Sequence, residues 1–171
     1  VVMLPSREKL MAIIGDYDAV ITRSGTPLSA GTFEAAKKLK VAARAGVGMD
    51  SVDIDAATLR GVLVMNTPEA STLAAVEHTV ALLLAVCRHL PLASASLKKG
   101  EWTRAKFLGT QLSEKTLGVI GLGRIGSQVA ARCQAFGMKV IAYDPYIAEE
   151  VAEPIHVHLV ADLEELLSRS E

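Results

Sequence analysis

An excess of positive charge is missing from this sequence: 18 Lys and Arg stand against 19 Asp and Glu, for a formal net charge of −1. Without a basic field the chain has no general means of recruiting nucleic acid or an anionic membrane surface. The local group Lys98, Lys99, Arg104 and Lys106 around Glu101 reads as a solvated surface rather than a polyanion footprint. Aromatic residues are scarce at 4%, so the core must be built from Val, Leu, Ile and Ala, the mix expected of buried parallel strands covered by helices. Cysteine is nearly absent. Cys87 and Cys133 both sit in apolar helical patterns, where a thiol packs as a small hydrophobe and offers no disulfide framework. The four histidines are dispersed, and His156-Val157-His158 lacks companion ligands, so no metal is expected. The longest apolar run, Val80 to Cys87, has Glu77 and His78 just ahead of it and is well short of the ~18 residues of a membrane span. The chain opens on Val1 rather than Met and carries no signal peptide, so a piece of a longer cytoplasmic protein is expected.

What is present is a rhythm. With half its residues hydrophobic and 22% charged, the composition is that of a soluble globular protein. Short apolar runs at Val1–Leu4, Ala19–Thr22, Val41–Ala43 and Val62–Met65 alternate with helical patterns at Arg7–Ile14, Thr32–Leu39 and Asp55–Arg60. Ser6 and Ser29 stand where N-caps belong, and Gly61 where a helix ends. Such alternation predicts a parallel sheet. The texture changes after Asn66-Thr67-Pro68, where a long helical pattern runs from about Ser71 to His89 until Pro91 interrupts it. A domain boundary is expected there, with residues 1–66 in one domain and 67–171 in another. Leu92 to Lys115 is polar, punctuated by Gly100 and Gly109, and has no clear period. Strand and helix patterns then resume at Thr116–Ile120, Ile125–Phe136, Met138–Tyr143, Val157–Val160 and Asp162–Leu167.

The segment Gly121-Leu122-Gly123-Arg124-Ile125-Gly126 joins the strand ending at Ile120 to an amphipathic helix, and a second strand ends at Asp144, 21 residues after Gly123. A lone glycine triplet carries little weight, but this one has the context of a dinucleotide-binding βαβ unit. In such a unit Gly121 permits the tight turn, Gly123 lets the backbone approach a pyrophosphate, Gly126 lets the helix pack on the strand, and free amides at the helix start bind the anion. A carboxylate at Asp144 accepts hydrogen bonds from the adenosine ribose and repels a 2′-phosphate, which points to NAD over NADP. The bland alternative is a glycine-rich turn with Asp144, ahead of Pro145, as an ordinary turn residue.

In open α/β sheets ligands bind beyond the carboxyl ends of the strands. Arg23 and Ser24 follow one predicted strand there, and Arg44-Ala45-Gly46-Val47-Gly48 follows the next. Arginine grips carboxylate or phosphate through its planar fork, and successive amides of a glycine-containing loop form an anion-binding concavity. Taken singly, each arginine is better explained by pairing with an aspartate or by solvation; their joint placement on one rim is what points to an anionic ligand.

These stretches together resemble the D-2-hydroxyacid dehydrogenase family over nearly the whole chain. Arg44 to Asp53 is similar to its substrate-loop segment, Ala75-Val76-Glu77-His78-Thr79 opens its interdomain helix, and Thr116–Gly126 with Phe136–Tyr146 matches its cofactor half. Gly100-Glu101-Trp102-Thr103-Arg104 through Phe107, with Asn66-Thr67-Pro68, is most similar to the branch that oxidises 3-phosphoglycerate. Ser71 and Ala70 depart from the Asn and Gly common in relatives. The resemblance implies an α/β fold of two doubly wound parallel-sheet domains, a flavodoxin-like substrate domain and a Rossmann NAD-binding domain, both incomplete in this chain. It implies that Arg23, Ser24 and Arg44 hold the phosphate or carboxylate of substrate and that amides around Gly46 and Val47 hold the remaining carboxylate. Arg104 is expected to reach a neighbouring subunit's site. Arg124 and Ile125 are placed against the pyrophosphate, Asp144 on the ribose and Val47 near the nicotinamide. The family's first strand is expected before Val1. Its catalytic Arg, Glu and His are expected beyond Glu171, since His78, His89, His156 and His158 do not match that histidine.

The expected activity is NAD-linked oxidation of 3-phosphoglycerate to 3-phosphohydroxypyruvate in serine biosynthesis, by a homodimer or homotetramer using the long helix as its arm. Two alternatives stand beside it: a sibling such as a glyoxylate or hydroxypyruvate reductase, and an NAD-sensing corepressor-like binding protein. Taken alone, the 171 residues are expected to be inactive.

Overall fold

The computed structural model describes residues 6 to 171; the strand expected at Val1–Leu4 lies outside them. The chain divides into two compact units, Val1–Ser71 and Thr72–Glu171.

In the first unit, α1 (Arg7–Ile13) starts where the Ser6 hydroxyl accepts the Lys9 amide at 3.4 Å. Strands β1 (Ala19–Thr22), β2 (Val41–Arg44) and β3 (Leu63–Asn66) form a parallel sheet in that order. The links between parallel neighbours are helical, α2 (Ala30–Ala35) and α3 (Ile54–Leu59), as crossover geometry requires. Asp53 caps α3 by accepting the Ala56 amide at 3.0 Å. The helix expected over Thr32–Leu39 begins two residues earlier and stops at Ala35, because Ala36 leaves helical geometry with φ −81° and ψ 65°. Leu39 still reaches the core beside Leu10, Ile14, Leu28, Phe33, Ala42 and Val62. Each large apolar side chain in that core contributes about 1.5–3 kcal/mol by leaving water. On the other face of the sheet, Ile21 and Met65 flank their register mate Ala43 and remain 77% and 50% exposed.

The second unit opens with α4 (Thr72–Cys87) and α5 (Leu90–Lys98). The sequence pattern predicts one helix interrupted by Pro91. The chain instead bends by 62° at a break around His89, which takes a left-handed φ of 51°, and Pro91 sits in the first turn of a new helix. That position tolerates proline because its missing N–H has no intrahelical acceptor. No single helix among the described residues is long and apolar enough to cross a membrane.

Strands β4 (Thr116–Ile120), β5 (Lys139–Tyr143) and β6 (His158–Leu159) form a second parallel sheet, with α6 (Arg124–Ala135) and α7 (Glu149–Ala152) between them and α8 (Leu163–Arg169) after them. Three successive residues of β5 are buried because both faces of the sheet are covered. Val140 and Ala142 pack with Val119, Leu122 and Ala130 on one face, while Ile141 packs with Val160 and Leu166 of α8 on the other. Helix α4 lies on α6 through Val76, Val129 and Cys133. This is the doubly wound α/β arrangement expected.

Candidate cofactor and anion sites

Both candidate sites form where strands end. In the second unit, β4 runs into Gly121, whose φ of 86° is open to glycine and strained for other residues. Gly123 caps α6, and a Cβ built on it meets nothing within 4 Å, so the backbone there is open to approach. Gly126 is the opposite case: a Cβ would overlap the Gly121 carbonyl oxygen and press on Val119. Only glycine lets α6 start this close to the turn. Among the described residues the amides of Gly123, Arg124, Ile125 and Gly126 have no acceptor, while their neighbour Ser127 is bonded to the Gly123 carbonyl through both its amide and its hydroxyl. The start of a helix of 12 residues thus offers adjacent donors with the positive end of its dipole behind them. Arg124 and Ile125 are both exposed beside them.

Asp144, one residue beyond β5, has two partners already. Its Oδ1 accepts the Tyr146 amide at 2.9 Å, which is the turn role of an aspartate before proline. Its Oδ2 accepts the Leu122 amide at 2.8 Å, across 22 residues of sequence. The carboxylate therefore latches the glycine loop to the end of the neighbouring strand. Each oxygen retains acceptor capacity, so the latch leaves room for ribose hydroxyls. The turn function and the binding function do not exclude each other. The bond to Leu122 was not legible in the sequence, because spacing locates Asp144 but not the direction of a main-chain N–H.

In the first unit the register aligns Thr22, Arg44 and Asn66 as a row across the carboxyl ends of β1, β2 and β3. Arg23 and Ser24, both exposed, leave the same edge one and two residues beyond β1. Among the described residues no carboxylate lies in ion-pair range of Arg23, Arg44, Arg104 or Arg124. Arg44 is half-buried and lies against Gly46, where a Cβ would overlap its guanidinium. The buried Arg44 Nε, the Thr22 hydroxyl and the Ser51 hydroxyl find no hydrogen-bond partner among the described residues. Leaving a buried polar group unpaired costs about 1–3 kcal/mol, so this edge has unmet hydrogen-bonding capacity.

The loop after β2 turns its carbonyls inward. The Gly46 carbonyl accepts the Thr67 amide at 3.1 Å, and the Val47 carbonyl accepts Asn66 Nδ2 at 2.8 Å. The amides of Val47 through Ser51 find no acceptor among the described residues. Gly46 differs, since its own amide is bonded to the Arg44 carbonyl at 3.0 Å. Asp50 brings a carboxylate oxygen against Gly48, two residues along the loop from the Arg44 guanidinium at Gly46.

Arg104 lies in the second unit, in a short 3-10 turn over Arg104–Phe107. Trp102 and Leu108 flank it at 75% and 82% exposure, and together with Thr103 and Lys106 they border a shallow depression. Ser96, buried at the end of α5, holds this loop by donating to Glu101 at 2.7 Å. Burial raises the Cys133 thiol above its ordinary value, which keeps it protonated and inert. Among the described residues no group of three or more His, Cys, Asp and Glu converges as metal ligands would.

A family model described as D-isomer specific 2-hydroxyacid dehydrogenase, NAD binding domain, matches residues 80–171. The D-3-phosphoglycerate dehydrogenase of Methanocaldococcus jannaschii is 52% identical over 97% of this chain, which covers 32% of that protein. The chain thus spans about a third of the length of such curated relatives. Among solved structures, the TT0316 protein of Thermus thermophilus superposes over 99% of this chain and 53% of its own, with a TM-score of 0.87 and 35% identity. The D-lactate dehydrogenase of Aquifex aeolicus, complexed with NAD and lactic acid, does so over 94% of this chain and 48% of its own, with a TM-score of 0.83 and 31% identity.

Proposed function

The chain belongs to the D-isomer specific 2-hydroxyacid dehydrogenases, and on that premise we propose that it serves in NAD-dependent oxidation of 3-phosphoglycerate to 3-phosphohydroxypyruvate, the opening step of serine biosynthesis. Residues 1–66 bind substrate on this proposal and residues 67–171 bind NAD. The observation that carries it is the open cradle over Gly123, where the amides of Gly123, Arg124, Ile125 and Gly126 have no acceptor among the described residues and the Asp144 carboxylate holds the adjoining Leu122 amide. Those amides receive the pyrophosphate, and Asp144 receives the ribose hydroxyls. Bound NAD supplies the acceptor for the hydride leaving C2.

The substrate grip follows the same logic. Arg23, Ser24 and Arg44 meet the phosphate, and the amides of the loop at Val47 meet the carboxylate; the unpaired Arg44 Nε supports this assignment. The relatives named D-3-phosphoglycerate dehydrogenase favour the phosphorylated acid. Helices α4 and α5 carry exposed Leu73, Leu82, Val86, Leu90 and Leu92, a surface suited to a second copy of the chain. The enzyme is assigned to the cytoplasm.

Calorimetric titration with NAD and NADP tests the cofactor half. NAD is expected to bind at least about tenfold tighter, since a 2′-phosphate would face Asp144 at close range. Equal affinities would remove Asp144 from the ribose site. Turnover of 3-phosphoglycerate against glycerate by the full-length enzyme tests the substrate half, and equal use of both acids would remove the phosphate from Arg23 and Arg44.

A further inference from the structure

A peptide group is planar and trans, so its C=O and N–H point in opposite directions. Fixing one carbonyl therefore aims the next residue's amide. At the carboxyl edge of the first sheet two consecutive carbonyls are fixed in this way. The Thr67 amide holds the Gly46 carbonyl at 3.1 Å, and the Asn66 side-chain amide holds the Val47 carbonyl at 2.8 Å. One donor is the last residue of β3 and the other the residue after it, and Asn66 is the register mate of Arg44. The N–H groups that share those peptide planes belong to Val47 and Gly48. Both must point away from β3, on the same side of the loop, and neither has an acceptor among the described residues.

We infer that Asn66 is a positioning residue: together with the Thr67 main chain it turns the Val47 and Gly48 amides outward as a paired donor for the carboxylate of a small 2-hydroxy acid. The inference rests on the proposed substrate site and sharpens it in two ways. The donor pair moves one residue along the chain, from Gly46 and Val47 to Val47 and Gly48, because the Gly46 amide is already spent on the Arg44 carbonyl. A residue outside the loop also becomes responsible for its geometry. Asn66 is exposed and packs no core, so its one hydrogen bond, spanning 19 residues, is its visible task. An amide side chain is required there. Aspartate has the same shape but no donor, so it would set one acceptor oxygen against another at the Val47 carbonyl and add a negative charge to an anion site.

The test uses a pair of probes that share a phosphate and differ in the carboxylate, D-3-phosphoglycerate and glycerol 3-phosphate, titrated calorimetrically into the parent protein and into Asn66→Ala, Asn66→Asp and Arg44→Ala. Asn66→Ala is expected to weaken 3-phosphoglycerate about tenfold, the order of one hydrogen bond to a charged group, and Asn66→Asp more. Glycerol 3-phosphate, NAD affinity and the melting temperature are expected to stay at parent values in Asn66→Ala, a split that a general loosening of the fold would not produce. Unchanged 3-phosphoglycerate affinity in both Asn66 variants, with Arg44→Ala still impaired, overturns the role of Asn66 and leaves the site standing. Equal losses for both phosphate probes also overturn it, because the effect would not be on the carboxylate. A parent protein that binds neither probe overturns the substrate site and this inference together.

Discussion

At Gly126 one hydrogen atom decides whether α6 can start against the glycine turn. Adding a methyl group there would drive a carbon into the Gly121 carbonyl, which is backbone and cannot swing aside, and would crowd a Val119 methyl as well. Gly126→Ala is expected to cost about 1–3 kcal/mol, as overpacking does, and to abolish measurable NAD binding. Thermal melting with and without NAD checks both parts; a variant that melts and binds like the parent would show that the helix start can shift. The glycines were legible in sequence because their spacing between a strand and a helix is diagnostic. For Asp144 the spacing predicts a position at the strand end, and the structure adds a latch to the Leu122 amide that spacing does not announce. Thr22 and Asn66 were not, since a threonine or asparagine at a strand end has many uses and only the register puts both in a row with Arg44.

Among the elements, α8 illustrates how local chemistry sets a boundary. Asp162 accepts the Glu165 amide at 2.7 Å, while the Glu165 carboxylate accepts the Ala161 amide at 3.1 Å and pairs with Arg169 one turn on. This reciprocal start is close to a capping box, and the spacing of Asp162 and Glu165 announces it. The Ala161 amide, helped by Arg169, holds the Glu165 carboxyl below its ordinary 4.5. The sign follows from linkage: the folded state binds its proton less readily, so the stabilisation is complete above 4.5 and is lost as pH falls through the lower folded value. The Ala161 amide resonance is expected to titrate with a midpoint below 4.5 and to lose that titration in Glu165→Gln. A midpoint above 4.5 would contradict the assignment.

The strands were the most readable elements, because an uninterrupted apolar run in a parallel sheet has little else it can be. The stretch holding α5 resisted reading for a physical reason. Ala93-Ser94-Ala95-Ser96 has weak amphipathic contrast, and a proline that starts a helix looks, in sequence, like one that stops it.

Considered whole, the molecule presents more exposed leucine on α4 and α5 than a lone surface usually carries, with Leu82 and Val86 at 52% and 71% and Leu90, Leu92 and Leu97 following. Sedimentation of the parent is expected to give a dimer or larger species, and Val86→Glu with Leu82→Glu a monomer of unchanged helical content. A parent that sediments as a monomer at all concentrations would refute the assembly proposed for this surface. The chain divides into two units where α4 begins, a few residues beyond the change of texture that the sequence shows near Pro68.

The latch from Asp144 to the Leu122 amide also limits how such a protein can change its redox currency. Removing the carboxylate to admit a phosphorylated ribose would at once orphan the main-chain amide of Leu122, a residue only 4% exposed, and release the glycine turn. A lineage moving toward the other nicotinamide cofactor must therefore first find a neutral acceptor for that amide, and only then a cation for the new phosphate. On the proposed placement of the ribose at Asp144, the other order weakens the hold on both cofactors.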